Sequence, residues 1–333
     1  MKVLLTGGTG FLGRNLLDSL LNKGFNVKAL VRDESKGSQL PKDVEVVFGD
    51  IRDREKLFKI SKDVEGIFHL SALVKSWVKR VPDYYEINVD GTRNIMELSR
   101  KRDIKTLYVS SFIVSGPTGE RIFEEKDFGE RKKFFNHYER SKYFAFMLVK
   151  EYIKWGAPVI VVFPGVIYGE GELRDSNIIV KNVVDHLNGS LPGILGKGES
   201  IWNFVHVKDC VEGILLAWEK GKIGESYILG GENAENRKVF EIARSYAGRK
   251  SPMLNIPYWI GYGLGLIQFF MAEISGKPPR FVHNDVRIFK RNWAYSSKKA
   301  EEELGYRWKS LEEGIKITLD WLREKGYGKI FRG

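Results

Sequence analysis

Val3-Leu4-Leu5-Thr6-Gly7-Gly8-Thr9-Gly10-Phe11-Leu12-Gly13 decides how the rest of this chain is read. Val3 to Leu5 is a short apolar run of the kind that forms a buried parallel strand. Glycines then recur at every third residue, at Gly7, Gly10 and Gly13. Behind them Arg14-Asn15-Leu16-Leu17-Asp18-Ser19-Leu20-Leu21 sets leucines at helical spacing, and Gly24 ends the run. Strand, glycine turn and helix in that order form the context a dinucleotide fingerprint requires. Glycine allows the tight turn and the close approach of a pyrophosphate. The helix N-terminus adds unpaired N–H groups and a partial positive charge.

Composition narrows the remaining choices. The 333 residues are enough for one large or two modest domains, and 43% hydrophobic with 13% aromatic residues excludes a disordered chain. A single cysteine, Cys210, excludes an internal disulfide framework and fits a reducing compartment. With no apolar leader ahead of the first strand, a cytoplasmic location is expected. The net charge of +11 is spread through mixed runs such as Arg52-Asp53-Arg54-Glu55-Lys56, not gathered into an aromatic-interleaved basic stripe. It therefore reads as solvated surface, and no nucleic-acid partner is expected. No cluster has metal-ligand spacing, so no catalytic metal is expected.

Further strands are expected over Val27–Val31, Val44–Phe48, Gly66–Leu70, Thr106–Ser110 and Pro158–Phe163, with long helices near Tyr84–Arg100 and Phe134–Trp155. Strand–helix alternation predicts an α/β, Rossmann-type doubly wound parallel sheet, with ligand beyond the carboxyl ends of its strands. After Gly169 the rhythm changes to a glycine- and proline-rich segment. Asn203–Val207, a helix from Lys208 to Glu219 and the strand Ser226–Leu229 then read as a return to the sheet, and mostly helices follow. The expected division is residues 1–169 with 203–231 for the dinucleotide, and 170–202 with 232–333 for a smaller, mostly helical substrate lobe. Residues 256–272 are almost wholly apolar, but Pro257, three glycines and Gln268 argue against a membrane span. The stretch reads as a buried helix of the smaller lobe, with membrane-surface contact as the alternative.

Several motifs fall in one order. After the glycine turn come Gly49-Asp50, His69-Leu70-Ser71-Ala72, Asn88-Val89-Asp90-Gly91-Thr92, Ser110-Ser111, Tyr138-x-x-x-Lys142, Pro164-Gly165-Val166-Ile167-Tyr168-Gly169 and Phe204-Val205-His206-Val207. Together they resemble the extended short-chain dehydrogenase/reductases of the epimerase/dehydratase superfamily over nearly the whole chain. The chain is most similar to the dihydroflavonol-reductase-like branch, which includes hopanoid-associated sugar epimerase-like proteins. The resemblance implies a cofactor site made of Gly7, Thr9, Gly10, Phe11, Leu12, Gly13, Asp50, Ile51, Leu70, Ser71, Ala72, Asn88, Ser110, Pro164 and Val166, completed by Tyr138 and Lys142. Asp50 would contact adenine. His69 and His206 would make structural hydrogen bonds. The resemblance also implies a homodimer through the helix carrying Tyr138, where Phe144, Phe146, Met147 and Val149 are apolar enough for an interface or for core.

Tyr138 and Lys142 lie four apart on an expected helix and so share a face. A nearby ammonium favours phenolate, so Lys142 is expected to lower the Tyr138 pKa and make it a usable acid or base. Tyr246-Lys250 and Tyr295-Lys299 share the spacing, but only Tyr138 follows the fifth strand and its Ser-Ser end. By resemblance Ser111 holds the substrate oxygen and Lys142 the nicotinamide ribose, while Ser110 is a strand-end hydroxyl. The second strand ends Val31-Arg32-Asp33, with Lys36 beyond. Arg32 suits a 2′-phosphate, so NADP(H) is expected over NAD(H), although Asp33 would serve a ribose hydroxyl after a small register shift. The expected reaction is carbonyl reduction or alcohol oxidation on a small molecule. A nucleotide-sugar epimerase or dehydratase with retained NAD is the alternative, and a dinucleotide sensor without turnover a third. Phe163 and Trp202 stand where many sugar-nucleotide enzymes carry arginine. An apolar substrate is therefore expected, with Trp202, Trp259, Phe269 and Phe270 walling its pocket. Arg174 and Lys197 are the candidates for phosphate contact if the substrate is a sugar nucleotide.

Overall fold

Strands β1 (Lys2–Thr6), β2 (Asn26–Val31), β3 (Glu45–Phe48), β4 (Gly66–His69), β5 (Lys105–Val109) and β6 (Val159–Pro164) alternate with helices α1 (Phe11–Asn22), α2 (Glu34–Gly37), α3 (Arg54–Ile60), α4 (Pro82–Tyr85), α5 (Gly91–Arg102) and α6 (His137–Lys154). The later strands are β7 (Val166–Tyr168), β8 (Gly193–Leu195), β9 (Ile201–His206), β10 (Ser226–Leu229), β11 (Glu232–Glu235) and β12 (Leu254–Ile256). With them come α7 (Ile178–Leu187), α8 (Val207–Lys220), α9 (Asn236–Tyr246), α10 (Tyr258–Ser275), α11 (His283–Phe289), α12 (Lys298–Leu304) and α13 (Leu311–Glu324). The structure is a computed structural model that describes residues 1–129, 131–173, 175–191, 193–249 and 253–331.

Among the described residues, seven strands form one sheet in the order β10-β6-β5-β4-β1-β2-β3, with every pairing parallel. Helical crossovers cover both faces, which is why these strands are nearly continuous apolar runs. The alternation still shows: Val3 and Leu5 pack with Leu16, Leu20, Ile214 and Trp218, while Leu4 packs with Ile67, Met96, Val149 and Val161 on the other face. The order reverses between β1 and β4, which opens a crevice at their carboxyl ends. This is the expected Rossmann-like fold.

Four local readings are corrected. The strand at Asn203 does not return to the large sheet: β9 lies in a second sheet of order β11-β9-β7. The chain leaves the large sheet at Pro164-Gly165, where a Cβ on Gly165 would come within 2.4 Å of Asn203 Oδ1. Asn203 then ties the small sheet together, donating to Gly231 O and Tyr295 O and accepting from Gly231 N. The helix expected over Tyr84–Arg100 is interrupted between α4 and α5 by a wider π-helical segment, Glu86–Asp90, which carries Asn88. Residues 298–306, expected in the smaller lobe, pack on the large sheet: Leu304 and Tyr306 are fully buried, and the Tyr306 hydroxyl donates to Gly230 O at 2.8 Å.

The fourth correction concerns α10, which is not a buried helix. Only Gly261, Gly265 and Ala272 of it are buried. Those small residues let it sit closely on β8 and α11, since a Cβ on Gly261 would meet Leu195 at 2.4 Å and one on Gly265 would meet His283 N at 2.5 Å. The bulk turns outward instead, with Trp259 77% and Ile274 89% exposed. Among the described residues no helix is long and apolar enough to cross a membrane.

Candidate active site

The carboxyl ends of β1, β4, β5 and β6 stand side by side, because Thr6 is in register with His69, His69 with Tyr108, and Val109 with Val162. Gly7, Leu70, Ser110 and Pro164 therefore emerge along one edge. Gly7 has φ +79°, a conformation glycine adopts without strain, and a Cβ there would lie 2.8 Å from the Leu70–Ser71 backbone. A Cβ on Gly13 would lie 2.0 Å from Gly7 O, so the turn and the first turn of α1 close tightly only on glycine. Gly10 begins α1 with no side-chain cap, and Phe11 follows it, buried. Beneath the turn, Thr6 Oγ1 is 2.7 Å from His69 Nδ1, and His69 Nε2 is 3.1 Å from Thr92 Oγ1. Burial and the nearby Lys142 ammonium push the His69 pKa down to about 3, so His69 is a neutral structural link.

These features fit a dinucleotide on their own terms. The α1 N-terminus has no side-chain cap, the glycine cradle leaves no room for a Cβ, and Ser110 Oγ at the same edge is buried with no hydrogen-bond partner. Leu70, Ser71 and Ala72 run past Gly7, and Pro164 and Val166 flank the far side, both buried. Thr9 and Leu12 lie in the same turn and helix start. Ile51 is buried against Gly91. The Asn88 amide accepts from Leu73 N at 2.7 Å and donates to Ser141 Oγ at 2.9 Å. It fastens the loop after β4 to α6.

Beyond the end of β2, Arg32 has its side chain 60% exposed, 4.0 Å from Asp50. Partial burial works against the Asp50 carboxylate, but hydrogen bonds from Arg52 hold its pKa below the ordinary value. Asp33 is spent elsewhere. It caps the short helix α2, accepting from Ser35 N at 2.9 Å and Ser35 Oγ at 2.7 Å, and the Ser35 bond lowers its pKa. Lys36 is half-exposed, 4.0 Å from Asp33.

Beyond the end of β5, Ser111 caps the 3₁₀ turn Phe112–Ser115, accepting from Ile113 N at 3.3 Å. Tyr138 stands in the first turn of α6, partly buried, beside the turn that Ser111 caps. Lys142 lies one turn on and is buried, its Nζ 3.4 Å from Val109 O and 5.4 Å from the centre of the Tyr108 ring. The expected lowering of the Tyr138 pKa is not found. Burial pushes it up to about 12, opposed only by the nearby Ser111 hydroxyl, while the Lys142 ammonium is 3.4 Å from Val109 O. Burial also pushes Lys142 down to about 8.

The two rival Tyr-x-x-x-Lys pairs are placed by their partners. The Tyr295 hydroxyl is 2.8 Å from Ser115 Oγ, while Lys299 turns away to Glu225. The Tyr246 hydroxyl donates to Asp320, and Lys250 lies outside the described residues. His206 caps α8 and lies 3.0 Å from Glu170.

A cleft of about 1930 Å³ opens beside the start of α6. Its apolar wall includes Trp77, Val78, Val81, Tyr84, Phe134 and Phe269, and its polar wall includes Arg140, Arg287, Lys290 and Arg291. Tyr84 lines it, and burial, then the nearby Asp285 carboxylate, raise the Tyr84 pKa. Trp202 does not face this cleft. It is buried, stacks on Phe289 at 4.7 Å and donates to Arg291 O, so the expected apolar contribution to a substrate pocket is withdrawn. Trp259 and Phe270 are exposed on α10, and of the expected aromatic wall only Phe269 lines the cleft. Arg174 lies outside the described residues, and Lys197 is an exposed residue paired with Glu199.

Sequence reasoning passed over one pair, Arg131 and Glu139. They meet at 2.6 Å with both side chains nearly inaccessible. Arg131 also donates to Ile113 O and Lys133 O, and Glu139 accepts from Phe135 N. The pair clamps the loop before α6 onto the turn after Ser111, which sets where Tyr138 and Ser111 stand. Nothing local marks it, since Arg131 sits among other charged residues in a polar loop.

The model of the NAD dependent epimerase/dehydratase family matches residues 3–230. A putative dihydroflavonol 4-reductase of Synechocystis is 29% identical, over 98% of this chain and 95% of that protein. Sterol demethylase protein B of Methylococcus capsulatus is 28% identical, over 98% and 99%. The solved structure of the UDP-glucose 4-epimerase of Thermotoga maritima with UDP-glucose superposes with a TM-score of 0.80 at 25% identity, covering 98% of this chain and 99% of that one. With the glycine cradle, the strand-end edge and the family model all falling on the same residues, the chain belongs to the NAD dependent epimerase/dehydratase family.

Proposed function

We propose that the protein is an NADP(H)-dependent carbonyl reductase or alcohol dehydrogenase that uses Ser111, Tyr138 and Lys142 on a small molecule with apolar bulk. The observation that carries this reading is that Tyr138, in the first turn of α6, stands beside the turn that Ser111 caps at the carboxyl end of β5, with Lys142 buried one turn on and its Nζ 3.4 Å from Val109 O. A nicotinamide bound along this edge supplies or accepts the hydride. In reduction, Tyr138 passes its phenolic proton to the substrate oxygen, and in oxidation it takes that proton back. Ser111 Oγ hydrogen-bonds the same oxygen, and Lys142 holds the ribose. The apolar side of the cleft supports a carbonyl compound with apolar bulk. Phe163 and Trp202, buried where sugar-nucleotide enzymes often carry arginine, provide no diphosphate contact.

A second reading, an epimerase or dehydratase with retained NAD, is favoured by Arg287, Lys290 and Arg291 on the cleft, which suit a diphosphate. We also propose a cytoplasmic homodimer. Of the apolar residues on α6, Phe146 and Val149 are core, which leaves Phe144 and Met147 for such an interface.

Arg32 supports NADP(H), because it is exposed at the end of β2 while Asp33 is occupied as a helix cap. A charge-assisted bond to a 2′-phosphate is worth roughly 1.5–3 kcal/mol, so Arg32→Ala is expected to weaken NADPH binding about 10- to 100-fold and leave NADH nearly unchanged. Calorimetric titration of both cofactors checks this. Equal loss for both, or tighter NADH binding by the unaltered protein, would overturn the cofactor assignment.

A further inference from the structure

Helix α10 has two working sides. Trp259, Leu264, Ile267, Phe270, Met271 and Ile274 are all large, apolar and exposed. At 3.6 residues per turn they fall within an arc of about 140°. Gly261, Gly265 and Ala272 occupy the opposite face and pack on the protein. Between the two faces, Phe269 and Glu273 line the cleft, and Glu273 accepts from Trp77 Nε1 at 2.6 Å. The one carboxylate of the helix is thereby turned away from the apolar arc.

The border of this face is basic. Lys277 follows the helix and is exposed, and Lys79 Nζ lies 3.9 Å from where a Cβ on Gly276 would stand. The loop carrying Lys79 also exposes Lys75, Val74 and Val81. An apolar stripe with a tryptophan at one end and lysines at the other is the pattern of a helix that lies in the plane of an anionic bilayer surface. With too little length and hydropathy to span, it suits that surface and not the bilayer interior.

We propose that α10 and the adjoining loop dock the protein on an anionic lipid bilayer surface. Docking brings the rim of the cleft, at Val78, Val81 and Phe269, to the lipid headgroups. A substrate with apolar bulk then enters from the bilayer; this last clause rests on the carbonyl-reductase reading, whereas the docking does not.

Flotation of the full chain with vesicles of phosphatidylglycerol and phosphatidylcholine, and with phosphatidylcholine alone, tests the docking. The unaltered protein is expected to float with the anionic vesicles and to be released by salt. Ile267→Glu with Ile274→Glu is expected to cut the floated fraction at least about tenfold, and Lys79→Glu with Lys277→Glu to cut it on anionic vesicles by a similar factor. Circular dichroism and NADPH binding should match the unaltered protein for both variants. Turnover of a water-soluble carbonyl compound should match as well, since none of the four residues is in the site. Failure to float, or equal flotation by the variants, would overturn the proposal. A dimer that Ile267→Glu with Ile274→Glu converts to monomer, with no flotation, would overturn it in favour of an interface between two copies. Flotation without carbonyl turnover would leave docking standing and overturn the reaction.

Discussion

Tyr138→Phe lowers turnover by roughly 10²- to 10⁴-fold and leaves cofactor affinity nearly unchanged. The phenylalanine ring keeps the packing and removes only the Tyr138 hydroxyl. Because burial pushes the phenol up to about 12, Tyr138 is protonated throughout the neutral range. It is then ready as an acid for carbonyl reduction, whereas alcohol oxidation needs the phenolate. Reduction by the unaltered protein is therefore expected to be insensitive to Tyr138 ionisation below pH 10, and oxidation to accelerate as pH rises toward 12. Single-turnover rates in both directions, with NADPH and NADP, measure this. A phenylalanine variant that turns over like the unaltered protein would remove Tyr138 from the chemistry.

Lys142→Met abolishes most turnover and makes the cofactor-free protein more stable. Lys142 is buried, and burial lowers its pKa from 10.5 to about 8. Below pH 8 the folded chain holds a charged lysine out of water, and the unfolded chain does not. The penalty is of order 3 kcal/mol there. As pH rises from 8 to 10.5 the folded state has already released the proton that the unfolded state still binds, so the penalty shrinks and then disappears. The stability advantage of methionine is accordingly greatest below pH 8 and lost above 10.5. Urea unfolding of both proteins across that range gives the difference directly. A variant less stable than the unaltered protein at pH 7 would show that Lys142 is held by favourable contacts.

The parts of the fold that were legible are those written in local periodicity. Three glycines between an apolar run and a leucine-spaced helix already specified the tight turn at Gly7 and the parallel sheet behind it. The parts that were not legible depend on distant partners. Trp202 reads the same in sequence whether it faces substrate or core, and its position is fixed by Phe289 and Arg291 far along the chain. Helix α10 reads as buried because nearly every residue is apolar, yet its glycines and not its bulk make the contact. The four-residue spacing of Tyr138 and Lys142 shows a shared face but not where the ammonium points, and it points at Val109 O. The Arg131–Glu139 clamp forms between groups that look like ordinary surface charges.

Mass spectrometry of the nucleotide released when the purified protein is denatured, before and after exhaustive dialysis, bears most directly on net hydride transfer with an exchangeable cofactor. The account predicts NADP(H) that dialysis removes and that added NADPH restores. Stoichiometric NAD that survives dialysis would contradict it and would assign the Ser111–Tyr138–Lys142 edge to an enzyme that returns the hydride to its own substrate.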